Sequence, residues 1–246
     1  MPVDETPDLI HYLPIATTAL SAIFLVTLLR RAAMRNWVPH LMWWGLGVFA
    51  YGIGTALEST VTLAGNSIAL TKAWYIAGAI FGGYPLAQGS VYLHFPRKQA
   101  HIMGVMSLAF ALALAGAVLL SPVNASALLA HKPSGSILEW TWIRYPGTMV
   151  INMYAVIFLI GTAAWSAMQF LWVRRNPWRA FGNILITVGA ILPGVGGGMA
   201  KAGVVEGLYV GEFVGIILIW SGYAACVRAP KPDFASTERA IAPTSA

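Results

Sequence analysis

Of the 246 residues, 58% are apolar and only 10% are charged, and the mean hydropathy is +0.69. Soluble domains average about 25% charged residues, and a soluble domain of this length buries only about three quarters of its surface. The composition therefore predicts an integral membrane protein and excludes a soluble enzyme, a nucleic-acid-binding domain and a disordered chain.

The chain begins with an acidic segment, Met1 to Asp8. Cleavable secretory signals begin with positive charge, so we expect the first hydrophobic segment to stay in the mature protein. The single cysteine, Cys226, excludes a disulfide within the chain.

Seven segments are long and apolar enough to cross a bilayer as helices, which requires about 20 mostly apolar residues. They run from about Leu9 to Leu29, Val38 to Leu57, Ala73 to Phe95, Ile102 to Leu120, Met149 to Val173, Ala180 to Ala200 and Val204 to Val227. None shows the alternation of a β-barrel strand. We predict an all-α seven-transmembrane bundle over residues 1–228, followed by a short, disordered cytoplasmic tail over residues 229–246.

The charges of the loops predict the orientation of the bundle. Eleven of the fifteen lysines and arginines fall in alternate connections and the tail, whereas seven of the nine acidic residues fall on the other side. Positive charge marks the cytoplasmic side of a membrane protein. The N-terminus is therefore expected outside and the C-terminus in the cytoplasm, in a bacterial cytoplasmic membrane.

Ionisable residues inside the spans are the main candidates for a site, because each costs at least about 2.5 kcal/mol at the bilayer centre. Glu212 lies eight residues into the last span. Glu212 could contact a ligand, a proton or a cation. Alternatively, it could be a hydrogen-bonded packing contact. Two outer hairpins also carry opposite charges, Glu58 with Lys72 and Lys201 with Glu206. With Glu212 these four could line one outer vestibule, but the favoured interpretation is that they extend from the headgroup region into water.

The third and sixth spans are rich in glycine, and each contains a proline, Pro85 or Pro193. Small residues let helices approach closely in lipid, and proline kinks a helix by removing a backbone donor. We expect kinks at both prolines. They could form a pocket, or simply fit neighbouring helices together.

The sequence lacks the residues that several specific cofactors and reactions require. The last span contains no lysine for retinal, and His40, His94 and His101 lie near the cytoplasmic interface, where imidazole needs no cofactor. The sequence has no HExxH zinc motif, no GxSxG elbow and no phosphate-binding loop. We therefore predict no catalytic residues, no metal site and no cofactor, although a bound lipid or quinone is compatible with the composition.

Three stretches carry a resemblance to a known family. They are Arg30-Arg31 followed by Trp43-Trp44 and Leu57-Glu58; Lys72-Ala-Trp74 with Gly78 and Pro85; and Gly189-Ala-Ile-Leu-Pro193 with Gly203, Glu212 and Gly215. Over about residues 9 to 228 the sequence resembles the N-terminal seven-transmembrane sensor region of bacterial histidine kinases. The resemblance implies sensing from outside coupled to a cytoplasmic output. Because the chain stops about 18 residues after the last span, a stand-alone sensor module is expected.

Two functions fit these features. The first is a receptor-like module that senses a small apolar or amphipathic ligand and signals through a membrane or cytoplasmic protein partner. Candidate residues for the polar end of the ligand are Glu58, Lys72, Glu206 and Glu212, and those for its body are Trp74 and Tyr84. The second function is a non-catalytic accessory subunit of a respiratory, photosynthetic or transport complex. A transporter is a third candidate, but it predicts repeated halves, which the sequence does not show.

Overall fold

The computed structural model describes residues 9–229, apart from the side chain of Lys201. Within this range the regular structure is helical, and β pairing is limited to one bridge between Val123 and Leu138. The predicted tail, apart from its first residue, and the acidic segment Met1 to Asp8 lie outside the described residues.

The helices follow one another with short connections. A 3₁₀ turn, Leu9–Tyr12, leads into α1 (Leu13–Met34), and α2 follows (Pro39–Ala64). Next come α3 (Ile68–Trp74), α4 (Tyr84–His94) and α5 (Arg97–Leu120). The fifth predicted span contains α6 (Met149–Ala155) and α7 (Thr162–Met168), joined and flanked by π-helical turns, and the chain continues with α8 (Pro177–Lys201) and α9 (Glu206–Arg228).

Among the described residues, six helical stretches are long and apolar enough to cross a membrane. They support the membrane-protein class, and each overlaps one of the seven predicted segments. They are Leu9–Met34, Pro39–Ala64, Arg97–Leu120, Ile143–Val173, Pro177–Ala200 and Glu206–Arg228.

The predicted third span, residues 73–95, is discontinuous. Helix α3 ends at Trp74, a π-helical turn covers Tyr75–Ile80, and a non-helical turn precedes α4 at Tyr84. The expectation that Pro85 kinks a continuous helix was wrong, because Pro85 lies in the first turn of α4, where its missing N–H has no helical partner to lose. Pro193, in contrast, lies inside α8, which runs on through it.

Contacts between connections define one end of the bundle, here called the N-terminal face: the 3₁₀ turn, the α2–α3 turn, the 121–142 loop and the α8–α9 turn. Asn66 is central to it. Its side-chain amide donates to Leu129 O (2.9 Å) and Lys132 O (3.2 Å), and its carbonyl accepts from Thr71 Oγ1 (2.8 Å). The loop is therefore folded onto the helices, and its Ile137 is 1% exposed.

Helices α8 and α9 form a close antiparallel hairpin in which glycines replace side-chain contacts. A Cβ added at Gly189 would lie 2.7 Å from Gly215 O, and one added at Gly215 would lie 2.7 Å from Gly189 O. Because Pro193 has no N–H, the Gly189 carbonyl oxygen lacks the hydrogen bond that it would otherwise accept from residue 193 within α8. Each glycine backbone thus lies against its partner, a geometry suited to Cα–H···O contacts.

Helix α1 packs against both α2 and α9, and α7 packs against α8. Helix α2 packs against α4 on its other side. The end of the bundle opposite the N-terminal face is the basic face, which carries arginines such as Arg35, Arg97 and Arg175. The packing brings the C-terminal end of α3 and the N-terminal half of α9 next to the C-terminal half of α2, where the polar groups described next meet.

Candidate functional site

Two glutamates meet inside the bundle because their helices place them at the same depth. Glu58 lies six residues before the end of α2, and Glu212 lies six residues after the start of α9. At a rise of ~1.5 Å per residue, each is about 9 Å from its helix end on the N-terminal face. The two carboxyl groups lie within hydrogen-bonding reach of each other.

Glu58 is fully buried, and Glu212 is half-buried with its Oε2 atom inside the bundle. Glu58 is 1% exposed, and its Oε1 accepts a hydrogen bond of 2.6 Å from Trp74 Nε1. The Oε2 atoms of Glu58 and Glu212 are both buried, and neither receives an N–H or hydroxyl donor within the described part of the chain. Trp74 thus bridges α3 to α2, while the carboxyl–carboxyl contact joins α2 to α9.

Two tyrosines border the pair. Tyr51, two helical turns before Glu58, donates through its hydroxyl to the backbone oxygen of Glu212 (2.8 Å) and so fixes α2 against α9. Tyr209 is 1% exposed, and its buried hydroxyl has no hydrogen-bond partner among the described residues. It lies within electrostatic range of both glutamates.

Lys72 does not contact Glu58, although the sequence places them at the same hairpin. Its Nζ donates to Leu119 O (2.8 Å) and Ser121 O (2.9 Å), the carbonyls that end α5. Lys72 and Trp74 are two residues apart on a helix and therefore point to different sides. Helix α3 consequently holds α5 through Lys72 and α2 through Trp74.

Glu206 lies above the pair, on the N-terminal face. Its Oε1 is 3.6 Å from Lys132 Nζ and 3.8 Å from His11 Nε2. The His11 ring packs edge-on against Tyr209. The partner expected for Glu206, Lys201, has a side chain outside the described part of the structure.

Tyr84 is separate from the other candidates. Its hydroxyl accepts from Ser107 Oγ (3.2 Å), and its ring packs near Tyr154. Tyr154 in turn donates to the fully buried Gln88 (2.5 Å). Tyr84 is therefore part of the packing of α4 against α5 and α6. Of the six predicted ligand residues, the structure brings Glu58, Trp74 and Glu212 together.

An open groove of about 800 Å³ lies between α2, α3 and α5. Its lining is apolar except for Lys72, and includes Ile53, Leu57, Ile68, Ile76 and Leu119. A smaller groove of about 350 Å³ near the basic face is lined by His94, Phe158 and Trp165, among others. Both ring nitrogens of His94 are engaged, with Ser90 O (2.8 Å) and Ser166 Oγ (2.9 Å).

Comparison with protein-family models, curated proteins and solved structures finds no match. The resemblance to histidine kinase sensor regions thus stays a prediction. Within residues 9–229, no group of three or more histidine, cysteine, aspartate or glutamate side chains is arranged to hold a metal ion.

Sequence reasoning missed Tyr51 and Tyr209 as neighbours of the pair. A signal was present for both. Tyr209 precedes Glu212 by three residues and Tyr51 precedes Glu58 by seven, and both spacings place side chains on one face of a helix.

Proposed function

We propose that the chain is a non-catalytic, receptor-like membrane module that binds a small amphipathic anion, a lipid-like acid, in the groove between α2, α3 and α5. The observation that carries this proposal is the position of Lys72. It lies in an apolar groove, two residues from the tryptophan that holds the buried Glu58.

The proposed topology has seven spans, with the N-terminus outside and the C-terminus in the cytoplasm. Residues 68–94, which contain α3 and α4, form the third span, and their 27 residues are long enough to cross the hydrocarbon layer. The basic face then lies in the cytoplasm, in agreement with the positive-inside rule. The groove opens towards lipid in the outer half of the membrane.

The chemistry of the groove favours an acid with a hydrocarbon body. Side chains such as Ile53, Leu57 and Ile76 would bury the body, at about 0.8 kcal/mol per methylene. An ammonium group has three donors, and Lys72 uses two of them on uncharged carbonyl oxygens. A third donor and an uncompensated positive charge are left for a carboxylate or phosphate.

Binding at Lys72 would act on the bundle through α3. A ligand shifts a conformational equilibrium only by its differential affinity for the two states. An anion that drew Lys72 away from the end of α5 would move α3, and with it the Trp74 hydrogen bond to Glu58. The resemblance to histidine kinase sensor regions supports a cytoplasmic signalling partner as the reader of this change.

The test is binding of a fluorescent fatty acid and of its methyl ester to the purified protein in nanodiscs. We expect Lys72→Gln to weaken binding of the acid about tenfold, the equivalent of 1.4 kcal/mol, and to leave binding of the ester unchanged. Lys132→Gln is the matched control, because Lys132 lies on the same face but does not line the groove.

Equal affinity of the wild-type protein for acid and ester would refute the anion site. Purification from native membranes in a mild detergent tests the signalling role. Stoichiometric recovery with redox or pigment subunits would contradict a receptor and favour the accessory-subunit function.

A further inference from the structure

We propose that Glu58 and Glu212 form a proton-binding site in which the two carboxyl groups share one proton while α2, α3 and α9 are packed together. The site does not depend on the ligand of the groove, so this inference goes beyond the proposed function and can fail or succeed separately from it.

The first argument is the lack of a compensating cation. The two carboxyl groups are in contact inside an apolar bundle, and no lysine, arginine or histidine side chain that the structure describes, which leaves out Lys201, forms an ion pair with either of them. Two adjacent carboxylates without a cation cannot both stay ionised in such a place. A single proton between them removes one charge and supplies the hydrogen bond that joins them.

The second argument is the asymmetry of donors. Trp74 donates to Glu58, which favours Glu58 as the carboxylate of the pair. Glu212 receives no such donor from the described residues, so Glu212 is the group that keeps the proton and donates it to Glu58. On release, the Glu212 O–H bond breaks, its electrons stay on the carboxylate, and the proton goes to water.

The third argument is the neighbouring tyrosine. The Tyr209 hydroxyl is buried, has no partner among the described residues, and lies within electrostatic range of both glutamates. Buried polar groups without a partner are rare in folded proteins. An O–H group left open here is available to the single negative charge that remains when the pair holds one proton.

The surroundings of the pair define what can influence it. The titratable groups within electrostatic range are Tyr51 on α2 and Tyr209 on α9, while Lys72 on α3 is turned to the end of α5. Glu206, His11 and Lys132 lie nearer the N-terminal face, where Lys132 is paired with Glu206. Proton exchange with water is expected from that face, about 9 Å away along the helix axis.

The test is infrared spectroscopy of the ligand-free protein in lipid bilayers at neutral pH. A protonated carboxyl group shows a carbonyl stretch that an ionised one lacks, and transfer to heavy water shifts it. We expect one such group in the wild-type protein. The carboxyl signal should disappear in Glu212→Gln, because the amide of the new side chain can donate to Glu58 in place of the proton. It should also disappear in the double variant with Glu58→Gln. It should persist in the matched control Glu206→Gln.

Three results would overturn the proposal. The wild-type spectrum could show no protonated carboxyl group, or it could show two protonated carboxyl groups. The carboxyl signal could also persist in the double variant. A thermal stability that rises with Na⁺ but not with K⁺, together with a missing carboxyl signal, would instead assign a sodium ion to the site. Because the wild-type spectrum alone counts the protons, the test holds even if a variant fails to fold.

Stability against pH gives a second readout. The folded protein would hold a proton that the unfolded chain releases at neutral pH, so stability is expected to fall as the pH rises. Glu212→Gln should flatten this dependence. An equally steep dependence in wild type and variant would contradict the shared proton.

Discussion

Replacing Gly189 by alanine measures how much of the α8–α9 hairpin rests on close backbone contact. The new Cβ would lie 2.7 Å from Gly215 O and 2.9 Å from both Ile219 N and Leu218 Cβ. Ordinary van der Waals contact begins near 3.4 Å, so the two helices must separate locally by about 0.7 Å. Overpacking of this kind costs about 1–3 kcal/mol.

The matched control is Gly194→Ala, on the same helix, where a Cβ would meet nothing within 4 Å. Alanine has a higher helix propensity than glycine by about the same amount at both positions, so this contribution to stability cancels when the two variants are compared. We expect Gly189→Ala to be less stable than Gly194→Ala by about 1–3 kcal/mol. Unfolding in mixed micelles of increasing denaturing-detergent content, followed by circular dichroism, measures the difference.

The facing residue offers a further check. Gly215→Ala should cost a similar amount, because its Cβ would lie 2.7 Å from Gly189 O. The double variant should cost less than the sum of the two, since one separation of the helices relieves both contacts. Equal stability of Gly189→Ala and Gly194→Ala would refute the close packing of the hairpin.

Three other substitutions test the polar contacts. Tyr154→Phe leaves the fully buried Gln88 without its 2.5 Å donor and should lower the free energy of unfolding by about 1–3 kcal/mol in the same titration; an unchanged midpoint would contradict it. Asn66→Ala removes the two side-chain hydrogen bonds from Asn66 to the 121–142 loop and keeps its backbone bond to Ala130 O, so limited proteolysis should cut this loop faster than in the wild type, and an unchanged cleavage rate would refute the role of the Asn66 side chain. Glu206→Gln should cost less than about 1 kcal/mol, because its ion pair with Lys132 is partly exposed; a larger loss would show that this pair is structural.

Apolar length and loop charge were sufficient to predict most of the helices, because a helix that crosses a membrane needs little else. The break after Trp74 was missed for the same reason. Hydropathy does not report hydrogen bonding, and Pro85 was expected to kink a continuous helix, although the turn before α4 ends one helix and Pro85 lies at the start of another.

The meeting of Glu58 and Glu212 follows from their equal distance to the same face, which hydropathy did not predict, because the second span was expected to end at Leu57 whereas α2 continues to Ala64. The partner of Lys72 could not be predicted from the sequence, because it consists of backbone carbonyls at the end of α5, which any residue type would provide. The folded 121–142 loop had one overlooked signal, the apolar pair Ile137-Leu138 within a polar stretch. Both residues are 1% exposed.

The carboxyl pair also sets a condition on biogenesis. Glu58 enters the membrane with the second helix, whereas Glu212 is synthesised about 150 residues later, with the last one. Until then Glu58 can find Trp74 but not its acidic partner. A half-made chain therefore carries an incompletely satisfied acid in its second helix, and the arrival of α9 completes both the bundle and that contact. Membrane proteases and insertion chaperones that recognise unsatisfied polar groups would thus be able to distinguish an unfinished bundle from a finished one.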